Sequence, residues 1–357
     1  MTGRIPIDQV EVIDVREAEL VGDDTVFIAV HAAGKTGWYG PVSSGIGAYV
    51  EKVLAPLMAG ADVTDHPALR QRLRRLAVAS PDGHASWAMG AIDCATWDLH
   101  GHLAGRPVAD LLALDAARRS IPAYASWLTQ ELTSPVEPDT LAEVLAGAWA
   151  FTKWGLRCRP SRDTTAAART LAQALEHTAE AAGARIAVDA VGTWTPALTL
   201  AFAHRIDPSA LIWLEDPLPY HDLQAYGRLA RTRLPVAVGE RLMLREDPTA
   251  MLDEIRPVAL TLDIVGCGGL TQAIDVLAAA RARAVPVYPH GRSLVPGIHL
   301  AAAFPEAVPA VEYRLQWEPG RQHLYAHAWL PEQGRLRLPE SPGLGTAPRR
   351  TPCRAHP

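Results

Sequence analysis

Apolar positions change their rhythm partway along the chain. Residues 5–14 and 25–32 carry short β-rich runs, with Ile5, Ile7, Val10 and Val12 in the first and Val26, Phe27, Ile28 and Val30 in the second. Gly34 and Gly37 follow as expected turns before Trp38 and Tyr39, so the opening reads as an antiparallel meander. In residues 84–100, Ala88, Ile92, Ala95 and Leu99 recur three and four apart, one apolar stripe of a helix. Gly101 and Pro107 mark its end. Residues 1–118 are therefore expected to form an α+β capping domain.

From Ile121 the pattern repeats. Short apolar runs at 121–125, 155–159, 185–189, 210–214, 235–239, 257–262, 286–289 and 309–312 alternate with helical patterns. Those patterns fall at 140–152, 163–182, 196–205, 221–230, 247–254, 269–284 and 294–303. For 163–182, Asp163 offers an N-cap and Gly183 a stop. Repeated βα units whose strands are apolar on both faces build a parallel sheet, and eight such strands close a barrel. The expected fold class is α/β, a modified TIM-like (β/α) barrel over residues 119–322 with the capping domain before it. An alternating stretch in 323–340 places the segment 323–357 back against the capping domain, with a loose Pro- and Arg-rich tail after Gly345.

Composition narrows the function. Apolar residues make up 48% of the 357, enough for a large core. Lys and Arg number 34 against 39 Asp and Glu, a net charge of −5 with no long run of either sign, which argues against a nucleic-acid partner. No window approaches a membrane span, and the N-terminus has no basic segment followed by an apolar one. Cys94, Cys158, Cys267 and Cys353 lie too far apart for a zinc motif or a compact disulfide framework. A reduced, cytoplasmic protein is the expectation.

The candidate chemistry lies at the strand ends. Asp189 closes ARIAVD, Glu215 closes LIWLE and Glu240 closes PVAVGE, each one βα unit after the last. In a closed barrel these carboxylates sit side by side at the C-terminal rim, where barrel active sites lie. Three unpaired carboxylates repel one another, and a hard divalent cation with oxygen ligands resolves the conflict, which suits Mg²⁺. Asp263 and His290 end the next two strands. A carboxylate that takes one imidazole N–H leaves the other ring nitrogen free for a substrate proton.

Taken together these pieces resemble the enolase superfamily, and within it the mandelate racemase subgroup. The resemblance rests on VDAVGTW around Asp189, WLEDP around Glu215, VGERL around Glu240, LDIVGCGGLT from Leu262 and YPHG around His290. The stretch AMGAIDCATWDLHGHLAGRPVADLL also looks like the helix that precedes the barrel in that family. The resemblance implies a Mg²⁺ ion held by Asp189, Glu215 and Glu240, and a base that removes the proton next to a small-molecule carboxylate to give an enediolate. It implies that Asp263 and His290 form the base dyad and that Glu312, in AVEYR, helps bind the enediolate. It also implies a homo-oligomer of two to eight copies.

Two positions depart from the family pattern. Where it has Lys-x-Lys at the end of the second barrel strand, the aligned stretch places Arg157 and Arg159, and arginine binds carboxylates but does not accept protons. Val191 stands where the family has Asn. One-base dehydration of a sugar acid, an aldonate or aldarate, to a 2-keto-3-deoxy acid fits these departures. A racemase, epimerase or cycloisomerase of the same subgroup, or a silent barrel kept for binding, are the alternatives. Residues 17–25 and the Trp38–Ser44 region are candidate lids, with Trp38, Tyr39 and Trp127 as candidate pocket walls.

Overall fold

The computed structural model describes residues 3–15, 24–79, 83–134, 136–159, 161–244 and 246–349. Most of the candidate lid at 17–25, and Cys353, lie outside these residues.

Strands β1 (Gln9–Asp14), β2 (Asp24–Ala32) and β3 (Lys35–Ser43) form an antiparallel sheet in that order. Gly37 is a correction: it pairs with Val30 inside β3 and makes no turn. It is glycine because β3 lies directly on the following helix, where a Cβ at Gly37 would stand 2.3 Å from the Ala95 carbonyl oxygen. That helix, His84–Ala104, buries the stripe Ala88, Ile92, Ala95 and Leu99 completely and stops at Gly105, which takes a left-handed conformation.

The barrel strands are β4 (Ser120–Glu131), β5 (Thr152–Gly155), β6 (Ile186–Asp189), β7 (Leu211–Glu215), β8 (Val236–Val238), β9 (Ala259–Leu260) and β10 (Val311–Arg314). They run parallel in the order β10-β4-β5-β6-β7-β8-β9. The extended segment 286–290 closes the ring. Tyr288 N–H donates to Leu260 O (2.8 Å) on one side, and Glu312 N–H donates to Pro289 O (3.3 Å) on the other. Helices Pro138–Ala146, Thr164–Ala182, Pro196–Ala203, Leu223–Leu229, Pro248–Ile255, Leu270–Arg281 and Leu294–Ala303 make the crossovers. Asp163 caps the second of them by accepting from Ala166 N–H.

Two boundaries in this region need correction. The helix expected over 140–152 ends at Ala146, and the strand expected over 155–159 ends at Gly155. The apolar residues of that run, Leu156 and Cys158, fall beyond the strand, while Lys153 lies within it. The C-terminal stretch also differs from expectation. Strand β11 (Arg335–Arg337) pairs antiparallel with the start of β4 and so belongs to the barrel sheet. The residues after it do reach the first domain: Leu344 N–H donates to Asp98 (2.5 Å), and Thr346 Oγ1 donates to Trp38 O (2.5 Å). The tail is pinned as far as Arg349, whose N–H donates to Leu324 O.

The two parts are also joined by a helix cap. Gly269 precedes helix Leu270–Arg281 and has no side chain with which to cap it. Asp93, from the helix of the first domain, accepts from Thr271 N–H (3.0 Å) and Thr271 Oγ1 (2.5 Å) instead. No helix among the described residues is long and apolar enough to cross a membrane.

Candidate active site

Strand alternation explains where the site sits. Tyr124, Phe151, Ala187, Trp213, Ala237, Ala259, Tyr288 and Ala310 pack together inside the barrel and form its floor. The side chain two residues further along a strand points to the same face, one layer higher. Two residues after Phe151, Ala187, Trp213 and Ala310 stand Lys153, Asp189, Glu215 and Glu312, all buried. The floor fixes their height, and they meet above it.

A chain of polar contacts runs across this layer. Lys153 Nζ lies 2.8 Å from Glu215 Oε2, 3.0 Å from Glu312 Oε1 and 3.8 Å from Asp189 Oδ2. Glu312 Oε2 accepts from Gly291 N–H (2.7 Å) and lies 3.8 Å from His290 Nε2. His290 Nδ1 is 3.1 Å from Asp263 Oδ2. The other Asp263 oxygen accepts from Ser293 Oγ (2.6 Å) and Gly266 N–H (2.8 Å). Asp263 is thereby immobilised by three donors, and the imidazole is oriented by it. Glu240 follows β8 by two residues, half-buried at the rim.

The electrostatics follow from crowding. Burial, then Glu215 and then Glu240, push Asp189 up to about 8 despite Lys153. Burial also raises Glu215, with Lys153 opposing. Burial works against charging Lys153, but Glu215 and Glu312 outweigh it and hold the ammonium well above its ordinary value. For His290, burial is likewise overcome by Glu240, Glu312 and Asp263, which raise it to about 9. Asp263 stays below the usual carboxylate range, its burial offset by His290 and Ser293.

Among the described residues, no three His, Cys, Asp or Glu side chains are gathered closely enough to hold an ion as they stand. The donor set nonetheless suits a cation. Glu215 Oε1 is buried with no hydrogen-bond partner, and Asp189 is driven toward neutrality by burial first and then by Glu215 and Glu240. Both features ask for a second positive charge beside that of Lys153, and hard oxygen donors of this kind fit Mg²⁺.

Lys153 is the residue that the sequence reading missed. It stands on β5, whereas Arg157 and Arg159, the expected occupants of that strand's basic positions, lie past its end. Arg157 pairs with Glu131 and donates to Leu128 O (3.0 Å), and Arg159 is exposed. The next inward position on β5 after Lys153 is Gly155, over which the end of β4 folds. A Cβ there would stand 2.6 Å from Leu128 O. Val191, in the loop after Asp189, donates its N–H to Asp189 Oδ1 (2.8 Å). It does so at φ 52°, a conformation that β-branched residues rarely adopt. Of the candidate pocket walls, Tyr39 lines a cavity at the barrel mouth, and Trp38 and Trp127 do not.

A barrel with this acidic rim and this dyad has known relatives. Residues 15–113 match the family description "Mandelate racemase / muconate lactonizing enzyme, N-terminal domain", and residues 145–351 match "Enolase C-terminal domain-like". The chain belongs to the mandelate racemase/muconate lactonizing enzyme family of the enolase superfamily. It is 30% identical over 339 residues to an L-rhamnonate dehydratase of Saccharopolyspora erythraea, covering 90% of this chain and 80% of that one. It is 28% identical over 271 residues to a D-galactonate dehydratase of Ralstonia pickettii, covering 72% and 68% respectively. A mandelate racemase/muconate lactonizing protein from Paracoccus denitrificans, solved in complex with magnesium, superimposes with a TM-score of 0.78 at 27% identity, over 96% of this chain and 94% of that one.

Proposed function

We propose that this protein is a Mg²⁺-dependent sugar-acid dehydratase. It takes an aldonate or aldarate, removes the proton from the carbon bearing the carboxylate and expels the hydroxyl from the next carbon. The observation that carries this reading is the His290–Asp263 pair standing in one buried network with Asp189, Glu215, Glu312 and Lys153. The curated relatives named as sugar-acid dehydratases support it.

Asp189, Glu215 and Glu240 would hold the Mg²⁺ ion. Bound there, it supplies positive charge beside the substrate carboxylate and lowers the cost of forming a carbanion next to it. His290 Nε2 accepts the proton from C2, and Asp263 keeps the opposite ring nitrogen protonated and stabilises the imidazolium that forms. The electron pair left at C2 forms the C2–C3 double bond as the C3 hydroxyl departs with the proton that His290 returns. The products are water and an enol that tautomerises to the 2-keto-3-deoxy acid. Glu312 and Lys153 form the floor of the carboxylate site, the ammonium opposing charge that builds on the substrate oxygens. Among the described residues only one face of C2 has a base, because Gly155 and the backbone of Leu128 occupy the position where a second would stand. That arrangement favours elimination over inversion.

A library of acid sugars incubated with the Mg²⁺-loaded protein should yield 2-keto acid, detected as the semicarbazone, from at least one member. Exchange of the C2 hydrogen in D₂O with no keto acid would instead mark an isomerase. A metal-loaded protein that neither exchanges nor eliminates would mark a barrel used only for binding.

Glu240→Gln is expected to weaken Mg²⁺ binding by at least about tenfold, since losing even an outer-sphere partner of a metal ligand costs about 10- to 100-fold. Calorimetric titration with Mg²⁺ measures this, and an unchanged affinity would remove Glu240 from the ligand set.

A further inference from the structure

A cavity of ≈ 200 Å³ opens at the barrel mouth, between the first domain and the residues that follow the dyad. Its barrel wall includes Val265 and Arg292, each two residues beyond a member of the Asp263–His290 pair, and its other walls include Asp24, Tyr39, Trp87 and Arg321. A substrate whose first carboxylate lies over Asp189 and Glu215 and whose C2 faces His290 would extend its remaining carbons in this direction.

Among the described residues, the charges lining the cavity do not balance. Arg292 Nη2 lies 3.1 Å from Asp24 Oδ2, and Arg321 Nη1 lies 3.6 Å from the same oxygen. Among the described residues, Asp24 is the only carboxylate within ion-pair distance of either guanidinium. The nearby Glu318 is buried and already engaged, accepting from Arg314 (2.7 Å) and Gln322 (3.0 Å). Among the described residues, two cations therefore share one anion. Both are held in place: Arg292 lies 5.0 Å from the centre of the Trp87 ring, and Arg321 is largely buried and donates to Pro41 O (3.3 Å). Planar guanidinium groups with spare N–H donors suit a second carboxylate.

We propose that this cavity recognises an anionic group at the far end of the substrate, so that the preferred acids are dicarboxylic sugar acids rather than aldonates. The inference rests on the dehydratase reading above and narrows its substrate class. The second carboxylate docks against Arg292 and Arg321 and takes up the positive charge that Asp24 leaves over.

The test compares aldarates and aldonates of matched chain length and configuration, with keto-acid formation by the Mg²⁺-loaded enzyme as the readout. The wild type should favour the diacid in kcat/KM. Arg292→Gln and Arg321→Gln should each lower kcat/KM for the diacid by about 10- to 100-fold, the loss of one charge-assisted hydrogen-bonding group. The same changes should alter kcat/KM for the monoacid much less. Asp24→Asn keeps the cavity's shape and guards against variants that fail to fold. It should leave the diacid KM unchanged or lower, because it removes the competing anion. A wild type that turns over monoacids in preference to diacids, or an Asp24→Asn variant that raises KM for both alike, overturns the inference and leaves the dehydratase reading standing. If no acid of either kind yields keto acid, the dehydratase reading itself fails and the inference goes with it.

Discussion

Replacing His290 by asparagine should lower kcat by about 10⁴-fold, the upper end of what one general acid–base group contributes, because the same imidazole serves both half-reactions. The fold and Mg²⁺ affinity should survive. His290 lies 3.8 Å from Glu312 and bonds to Asp263, and neither is a proposed ligand of the ion. The amide of asparagine can also still meet Asp263. Rapid-mixing turnover assays and a Mg²⁺ titration of the variant check both halves, and loss of metal binding would move His290 into the coordination shell. The wild-type pH profile provides a second measure of the same residue. Only neutral imidazole accepts a proton, so kcat/KM should fall as pH drops through the His290 pKa. Burial disfavours the charged ring, but Glu240, Glu312 and Asp263 raise that pKa to about 9. A cation held by Glu240 offsets the largest of these pulls, so the midpoint in the loaded enzyme should lie below that value. A profile with no acid limb at all, down to the pH at which the protein unfolds, would rule out His290 as the base.

Lys153→Met should be the most destabilising single change in the barrel interior. The methionine fills similar space but leaves Glu215, Glu312 and Asp189 without the ammonium that now lies within 2.8–3.8 Å of them. Removing one partner of a buried ion pair costs about 3–5 kcal/mol, because the remaining charge stays buried and unpaired. The metal-free variant should therefore melt about 5–10 °C below the wild type. Added Mg²⁺ should recover part of the difference if it binds the same carboxylates. A melting temperature within a degree of the wild type would mean that the carboxylates relieve their repulsion without Lys153, most simply by taking up protons. Thermal scans with and without Mg²⁺ decide the matter.

Much of this architecture could be read before any coordinates because period and punctuation agreed. Strand-length apolar runs alternated with capped helices, and the acids Asp189, Glu215, Asp263 and Glu312 recurred at matching points of successive units. Lys153 was missed for a physical reason. A lysine within a short strand normally signals a solvated edge, and its burial here is paid by carboxylates from β6, β7 and β10, a tertiary fact that no local window contains. The same blind spot displaced β5 by three residues, since the apolar Leu156 and Cys158 looked like the strand and Lys153 looked like its border. Gly37 misled in a similar way. Its glycine serves the close approach of β3 to a helix more than fifty residues later, not a turn between neighbours. The cavity charges were invisible for the opposite reason: Asp24, Arg292 and Arg321 are ordinary surface residue types, brought together only when the first domain docks on the barrel.

The hydrogen bonds from Leu344 to Asp98 and from Thr346 to Trp38 span 246 and 308 residues of chain. During translation, the first domain thus emerges long before the residues that complete its contacts. Until they arrive, Asp98 Oδ2 still accepts from Trp38 N–H, but Asp98 Oδ1 and the Trp38 carbonyl lack these donors, and the nascent first domain is at its most exposed to premature association with other chains. A ribosome stalled ahead of Leu344 would therefore display a cap that is structured but loosely held, and protease sensitivity of such stalled chains would report when the clasp closes.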